Sequence, residues 1–208
     1  IDENKVKEVI SEKTKIIMPV DIAGITADYL SLNRLVNNKD IAKKFKPRNK
    51  KQKDLGRILI LSDAAHSLGA KFANKYTGTL CDITIFSLHA VKNVTSAEGG
   101  IIALNMPKPF ENNNLYKELR RFSLNGQTKD AFKKSKGGNW KYDIVEAGMK
   151  CNMPDLNAAL ALGQFEQYDK LLERRKSIYL IYNSFFKKKK WAHVPKFDSH
   201  IESSYHLY

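Results

Sequence analysis

Short, largely apolar runs separated by helical segments constrain this chain most. Ile58-Leu59-Ile60-Leu61, Ile83 to Phe86 and Ile101 to Leu104 are each too short for a buried helix. A strand with apolar residues throughout is expected where both faces of a sheet are covered. Between the runs lie amphipathic stretches. Asp28 caps a helix through Leu30, Leu32 and Leu35, and Leu115 to Phe122 reads as another. Pro154 opens a long helix with an apolar face of Leu156, Ala159, Leu160, Leu162, Gly163, Phe165 and Tyr168. It continues past a break near Asp169 through Leu172, Ile178, Tyr182 and Phe185. Strands alternating with helices predict an α/β fold with a mostly parallel central sheet between helices.

Smaller elements complete the reading. Lys5 to Ile10 is a short helix and Thr14 to Val20 a strand, with Pro19 at its end where a ladder donor is spared. Lys39 to Arg57 is polar and basic, carries Pro47, and reads as an exposed insertion before the next strand. Asn125 to Asn139 is a loop rich in Gly and Lys. The chain opens on Ile1 and closes on Tyr205-His206-Leu207-Tyr208, which reads as the start of a strand. These ends suggest an excerpt from a longer polypeptide.

Composition excludes several classes. No apolar run approaches the roughly 18 residues of a membrane span. Cys81 and Cys151 form neither a disulfide framework nor a metal-type spacing, so no metal is expected and a cytoplasmic setting is. The net charge is +14, but only 7 of the 36 basic residues are arginines. Nucleic-acid sites want arginines or aromatics placed to read or stack on bases. Lysine is instead spread over most surface segments and reads as a solvated coat, with no nucleic acid and no membrane as partner.

Two loops concentrate chemistry. Ser62-Asp63-Ala64-Ala65-His66-Ser67 follows one apolar strand directly. The sheet edge would hold the Asp63 carboxylate there, with room behind small residues for a flat ligand. Such a carboxylate keeps a ring nitrogen protonated. Alone, Asp63 reads more readily as an N-cap or loop aspartate and His66 as a packing histidine. The second loop, Ser87-Leu88-His89-Ala90-Val91-Lys92-Asn93-Val94-Thr95-Ser96-Ala97-Glu98-Gly99-Gly100, lies between two strands. A lysine near low-dielectric walls is a usable amine nucleophile. It is equally an ordinary solvated lysine if the loop is only a surface loop. Together the loops offer an acid for a pyridine nitrogen, a hydroxyl for a phosphate and an amine for an aldehyde. Those are the three handles of pyridoxal 5′-phosphate (PLP). Open α/β sheets bind ligands beyond the carboxyl ends of their strands, where both loops fall.

Four motifs in order carry a resemblance over essentially the whole chain. Thr14 to Gly24 is similar to "TKAIIPVHLAG", Asp63 to Gly69 to "DAAQAHGA", Phe86 to Gly100 to "FSFHPTKNITTGEGG", and Gly148 to Ala159 to "GYKYNMTDIQAA". The chain thus resembles the DegT/DnrJ/StrS sugar aminotransferases, PLP enzymes of fold type I in the aspartate aminotransferase superfamily. Arg174-Arg175 falls where that family has helix arginines.

The resemblance implies that Lys92 is the catalytic lysine joined to the cofactor aldehyde. Asp63 would hold the pyridinium nitrogen, Ser87 the phosphate, and Ala64, His66 and His89 would line the cofactor. Lys150 and Asn152 would reach phosphate or substrate in a neighbouring subunit, giving a homodimer with shared sites. Residues 1–165 would be part of a large PLP-binding domain. Residues 166–208 would be a connecting helix and the start of a small C-terminal α+β domain. The substrates implied are a keto-sugar nucleotide and an amino-acid donor, L-glutamate, in cell-surface polysaccharide or amino-sugar synthesis. "HAVKN", "SAEGG" and "MKCNMPDLNAALAL" look most like enzymes of 4-amino-4-deoxy-arabinose nucleotides. Alternatives are a dehydratase of the same family, against which Lys92 argues because those carry histidine there, and a truncated non-catalytic homologue. The family's N-terminal phosphate clamp and stacking aromatic are absent, so a chain of this span alone would hold an incomplete, inactive site.

Overall fold

The computed structural model describes residues 1–129, 141–195 and 197–208. The part of the Gly- and Lys-rich loop from 130 to 139 lies outside the described residues. Helix α1 (Glu3–Val9) is followed by β1 (Ile16–Ile17) and a 3-10 turn (Ile22–Gly24). Then come α2 (Tyr29–Asn37), α3 (Lys39–Lys44), α4 (Lys50–Leu55), β2 (Leu59–Asp63), β3 (Lys71–Phe72) and β4 (Lys75–Tyr76). Next are β5 (Ile83–Ser87), β6 (Gly100–Leu104), α5 (Asn112–Phe122), α6 (Asp155–Glu166), α7 (Tyr168–Phe186) and β7 (Ile201–Glu202).

The central sheet has the order β1-β2-β5-β6. β1, β2 and β5 run parallel, with Ile17 opposite Ile60 and Asp63 opposite Ile85. β6 returns antiparallel to β5, pairing Gly100 with Ser87. The sheet is therefore mostly parallel, as the alternation of elements predicts. Strand β1 is shorter than the Thr14–Val20 run suggests. Proline has no N–H to give to a ladder, and beyond Met18 only an isolated bridge from Val20 to Asp63 continues the pairing.

The principal core lies on one face of this sheet. Ile17, Ile58 and Ile60 pack against Tyr29, Leu32 and Val36 of α2, with Ile10 below them. Leu32, Val36 and Ile60 are fully buried. Burial of each such side chain contributes about 1.5–3 kcal/mol. Helix α2 starts where the sequence says it should: the Asp28 carboxylate accepts the Ser31 N–H at 3.0 Å.

The segment from Lys39 to Arg57 corrects the expectation of a wholly exposed insertion. It folds into α3 and α4, and its Ile41 and Phe45 enter the core. Two apolar residues four apart put one helical face inward although lysines surround them. Asn38 caps α3 by accepting from the Asp40 N–H at 2.9 Å.

The other sheet face departs from the expectation of cover on both sides. Ile16 and Ile102 are about half exposed (50% and 51%). Only its lower end is screened, where α4 and α5 and the residues Leu59, Ile83, Leu104 and Phe110 enclose an apolar cavity of about 260 Å³. Among the described residues no element crosses the remainder. Helix α6 likewise keeps Leu156, Leu160 and Leu162 exposed and buries Ala161 instead.

A small antiparallel sheet, β4-β3-β7, brings the chain end back beside residues 71–76. The strand near the C-terminus is thus Ile201–Glu202, not Tyr205 to Tyr208. Tyr205 has φ 51°, which breaks extended backbone at that point.

Candidate active site

The parallel strands end at the same edge of the sheet, β5 two residues beyond β2, and that sets the site. Asp63 is the last residue of β2 and Ser87 the last of β5, its neighbour. Both predicted loops therefore leave the same edge, the carboxyl end of the parallel strands.

The Asp63 loop is fixed from several sides. The Asp63 N–H donates to the Pro19 carbonyl and the Asp21 N–H to the Asp63 carbonyl, both at 2.9 Å. The Asp63 carboxylate accepts only from the Ala65 N–H of its own loop, at 3.2 Å, among the described residues. Ala64 is fully buried, and its N–H donates to Ile85 O at 2.9 Å across to β5. Beneath lies the buried Asp21 carboxylate. It accepts from the Ala27 N–H, the Tyr29 hydroxyl and the Ser67 hydroxyl at 2.9, 2.8 and 2.7 Å. Burial pushes its pKa up, while these donors and Asp63 act more weakly.

The Lys92 loop is held by apolar anchors. Leu88 and Val94 are buried against Ala161 and Tyr168 of α6 and α7. Asn157 of α6 donates to Ser96 O at 2.6 Å and to Glu98 O at 3.2 Å. Between these anchors Lys92 is half-buried, and its Nζ has no ion pair or hydrogen bond among the described residues. Ser87 Oγ accepts from the His89 N–H at 3.3 Å. His89 itself is exposed and turns its Nε2 toward Glu98 Oε1 at 3.5 Å.

His66 joins the two loops. Its Nδ1 accepts from the Ala23 N–H at 3.2 Å. Burial first, then the charge of Lys92, hold its pKa below the usual histidine range, and the charge of Asp63 opposes them. Asp63 and Lys92 therefore act on one imidazole. The structure brings Asp63, Ala64, His66, Ser87 and Lys92 to one edge. Lys150 and Asn152 lie apart, exposed and hydrogen-bonded to each other, on a segment tied to the end of α5 through Cys151 N and Ser123 O at 2.9 Å. Among the described residues no cluster of His, Cys, Asp and Glu could hold a metal ion.

The sequence reading passed over Asn93, Ser203, Ser204 and His206. Asn93 Nδ2 donates to Ser204 O at 2.7 Å, and its Oδ1 lies 2.8 Å from His206 Nδ1. The Ser204 hydroxyl donates to His66 O, and the Ser203 hydroxyl to Gly24 O at 3.0 Å. A Cβ on Gly24 would overlap Ser204 Oγ, so only glycine permits this approach. No local pattern marks these residues, because their partners lie more than a hundred positions away.

The α/β sheet presents at one edge a carboxylate, a hydroxyl and a lysine without a partner among the described residues. The chain belongs to the DegT/DnrJ/EryC1/StrS aminotransferase family, whose sequence profile matches residues 50–208. Its structure is similar to Spr1654 of Streptococcus pneumoniae, assigned as a sugar aminotransferase, in the PMP form. The TM-score is 0.91 at 42% identity, over 100% of this chain and 52% of that one. Helicobacter pylori PseC, an aminotransferase involved in pseudoaminic acid biosynthesis, matches with TM-score 0.77 at 27% identity, over 100% of this chain and 48% of that one. The UDP-4-amino-4-deoxy-L-arabinose–oxoglutarate aminotransferase of Shewanella sediminis is 33% identical over 178 residues, 85% of this chain and 40% of that protein. MJ1066 of Methanocaldococcus jannaschii is 30% identical over 209 residues, all of this chain and 48% of that protein. The chain spans about half the length of the curated relatives it matches.

Proposed function

We propose that the complete gene product is a PLP-dependent aminotransferase that moves an amino group from an amino acid, L-glutamate, to a keto-sugar nucleotide. One observation carries the reading. Asp63 and Ser87 end adjacent parallel strands, and Lys92 follows in the loop between β5 and β6. The residues fit the cofactor: a carboxylate engaged only by its own loop, a terminal-strand hydroxyl, a small buried Ala64 and a lysine without a competing partner among the described residues. When bound, PLP supplies an aldehyde for amine exchange and an electron sink.

The chain's own residues do the rest. The Asp63 carboxylate would accept the N–H of the pyridine ring and keep that proton in place. The Ser87 hydroxyl would donate to the phosphate. Lys92 Nζ would hold the aldehyde, and as an amine it would carry the proton of the donor's α-carbon. His66 and Ala64 would line the wall beside the ring, with the exposed His89 at the mouth. A homodimer in which Lys150 and Asn152 serve the neighbouring site belongs to the same proposal. The exposed Leu156, Leu160 and Leu162 of α6 support a further packing surface. A division into residues 1–165 and 166–208 belongs to the same proposal. No described helix is long and apolar enough to cross a membrane; a cytoplasmic setting belongs to the same proposal.

The test is the absorbance of the complete gene product with PLP. A band above about 400 nm that gives way to one near about 330 nm on adding L-glutamate is expected. K92A should abolish the first band. A folded protein whose band survives K92A, or ignores every amino-acid donor, rules this function out.

A further inference from the structure

We propose that His206 is a positioning residue of this site: its imidazole, donating from Nδ1 to Asn93 and lying against His66, ties the Lys92 loop to the Asp63 loop. The hydrogen-bond pattern fixes the tautomers. Asn93 Nδ2 donates to the Ser204 carbonyl at 2.7 Å, so its Oδ1 is the atom that faces His206. Turning the amide over would set two oxygens against each other. An oxygen 2.8 Å from His206 Nδ1 requires a proton on that nitrogen. His66 is the reverse case. Its Nδ1 accepts a backbone N–H, so its proton lies on Nε2.

The two rings lie against each other, centroids 4.4 Å apart at 30°. Residues adjoining both cofactor loops are therefore joined through one side chain. Asn93 follows Lys92 directly, and His66 is the third residue after Asp63. The backbone is shaped for this arrangement. Tyr205 adopts φ 51° just before His206, and its N–H donates to Ser203 Oγ at 3.0 Å. Ser204 N–H and Leu207 N–H donate to the Gly24 and Ala23 carbonyls at 3.1 and 3.4 Å. A left-handed tyrosine persists only where its surroundings over-determine it.

The charges facing His206 agree with a neutral ring. Burial, then His66, Lys92 and Arg175, push its pKa down to about 4. A neutral clamp adds no cation beside the Lys92 amine. It can also set where Asn93, and with it Lys92, stands. The involvement of these loops in cofactor binding rests on the aminotransferase proposed above; the tautomers do not.

The first experiment therefore needs no cofactor. Imidazole ¹⁵N spectra of the cofactor-free complete gene product at pH 7 should show His206 neutral with its proton on Nδ1, and His66 neutral with its proton on Nε2. A charged His206, or one protonated on Nε2, overturns the proposal. With PLP, H206F keeps a ring against His66 and removes the donor. It should shift the pH midpoint of the Lys92-dependent band and slow the glutamate half-reaction about tenfold or more, as small displacements of reacting groups do. H206N places an amide N–H near the former Nδ1–H and should recover part of the loss. N93A added to H206F should cost little further, because the two act as one unit. An H206F protein with melting, midpoint and rate all within twofold of the parent overturns the positioning role. Failure of the aminotransferase reading is distinct: the ¹⁵N pattern stands while no band forms with PLP.

Discussion

The Asp21 N–H donates to the Asp63 carbonyl at 2.9 Å, so a fully buried carboxylate sits directly behind the one at the sheet edge. The two acids have opposite circumstances. Asp63 is half-buried and meets one backbone donor, whereas Asp21 is enclosed by three donors and has its pKa raised by burial.

A raised native pKa means the folded chain binds more protons than the unfolded one at that group. Stability then falls as pH rises from the ordinary carboxylate range through the native pKa of Asp21. The contribution is greatest below the unfolded value. D21N should flatten that part of the profile. Urea unfolding across the mildly acidic range checks this; an unchanged slope in D21N contradicts it.

Asp63 and Ser87 should separate by effect. D63N, which keeps size and loses charge, is expected to slow the glutamate half-reaction by about a hundredfold or more. It should move the urea midpoint little, since the carboxylate makes one loop contact. S87A should instead weaken PLP affinity by about tenfold, the scale of one hydrogen bond to a charged group. Stopped-flow traces and cofactor titrations read the two separately.

Arg57 grips Asp82 with two nitrogens at 2.8 and 2.7 Å, and both side chains are largely buried. Asp82 also accepts from the Ile60 N–H at 2.9 Å, locking the starts of β2 and β5 together. R57A leaves a buried carboxylate without its cation and should cost about 3–5 kcal/mol. Chemical denaturation measures it, and a cost below about 1 kcal/mol would show that the carboxylate finds another partner.

Leu32 is fully buried at the centre of the core. L32A should destabilise by about 2–5 kcal/mol through lost burial and an unfilled cavity. The spectrum of PLP-loaded protein should be unchanged wherever the variant remains folded, because α2 supports the sheet and does not reach the Lys92 loop.

The sheet, and the placement of three candidate site residues at its edge, were legible because they rest on local pattern. Apolar strands ending in Asp63 and Ser87, with Lys92 in the next loop, can be read within a few dozen residues. Ile41 and Phe45 were hidden by the surrounding lysines, whose charge says nothing about which face of a short helix turns inward. The antiparallel return of β6 was not legible either, since a five-residue apolar run has no direction. Asn93 and His206 were missed for a different reason: their meaning lies in a pairing across 113 residues.

That separation also orders events in time. Ser204 reaches back 138 residues to His66 and 111 to Asn93. Closing such long stretches of chain is slow compared with forming α2 or the β5–β6 pair. During synthesis the acid and lysine loops emerge well before the residues that fasten them. The sheet can form while its edge is still loose, and the site acquires its final shape only as the last described segment threads beneath Gly24.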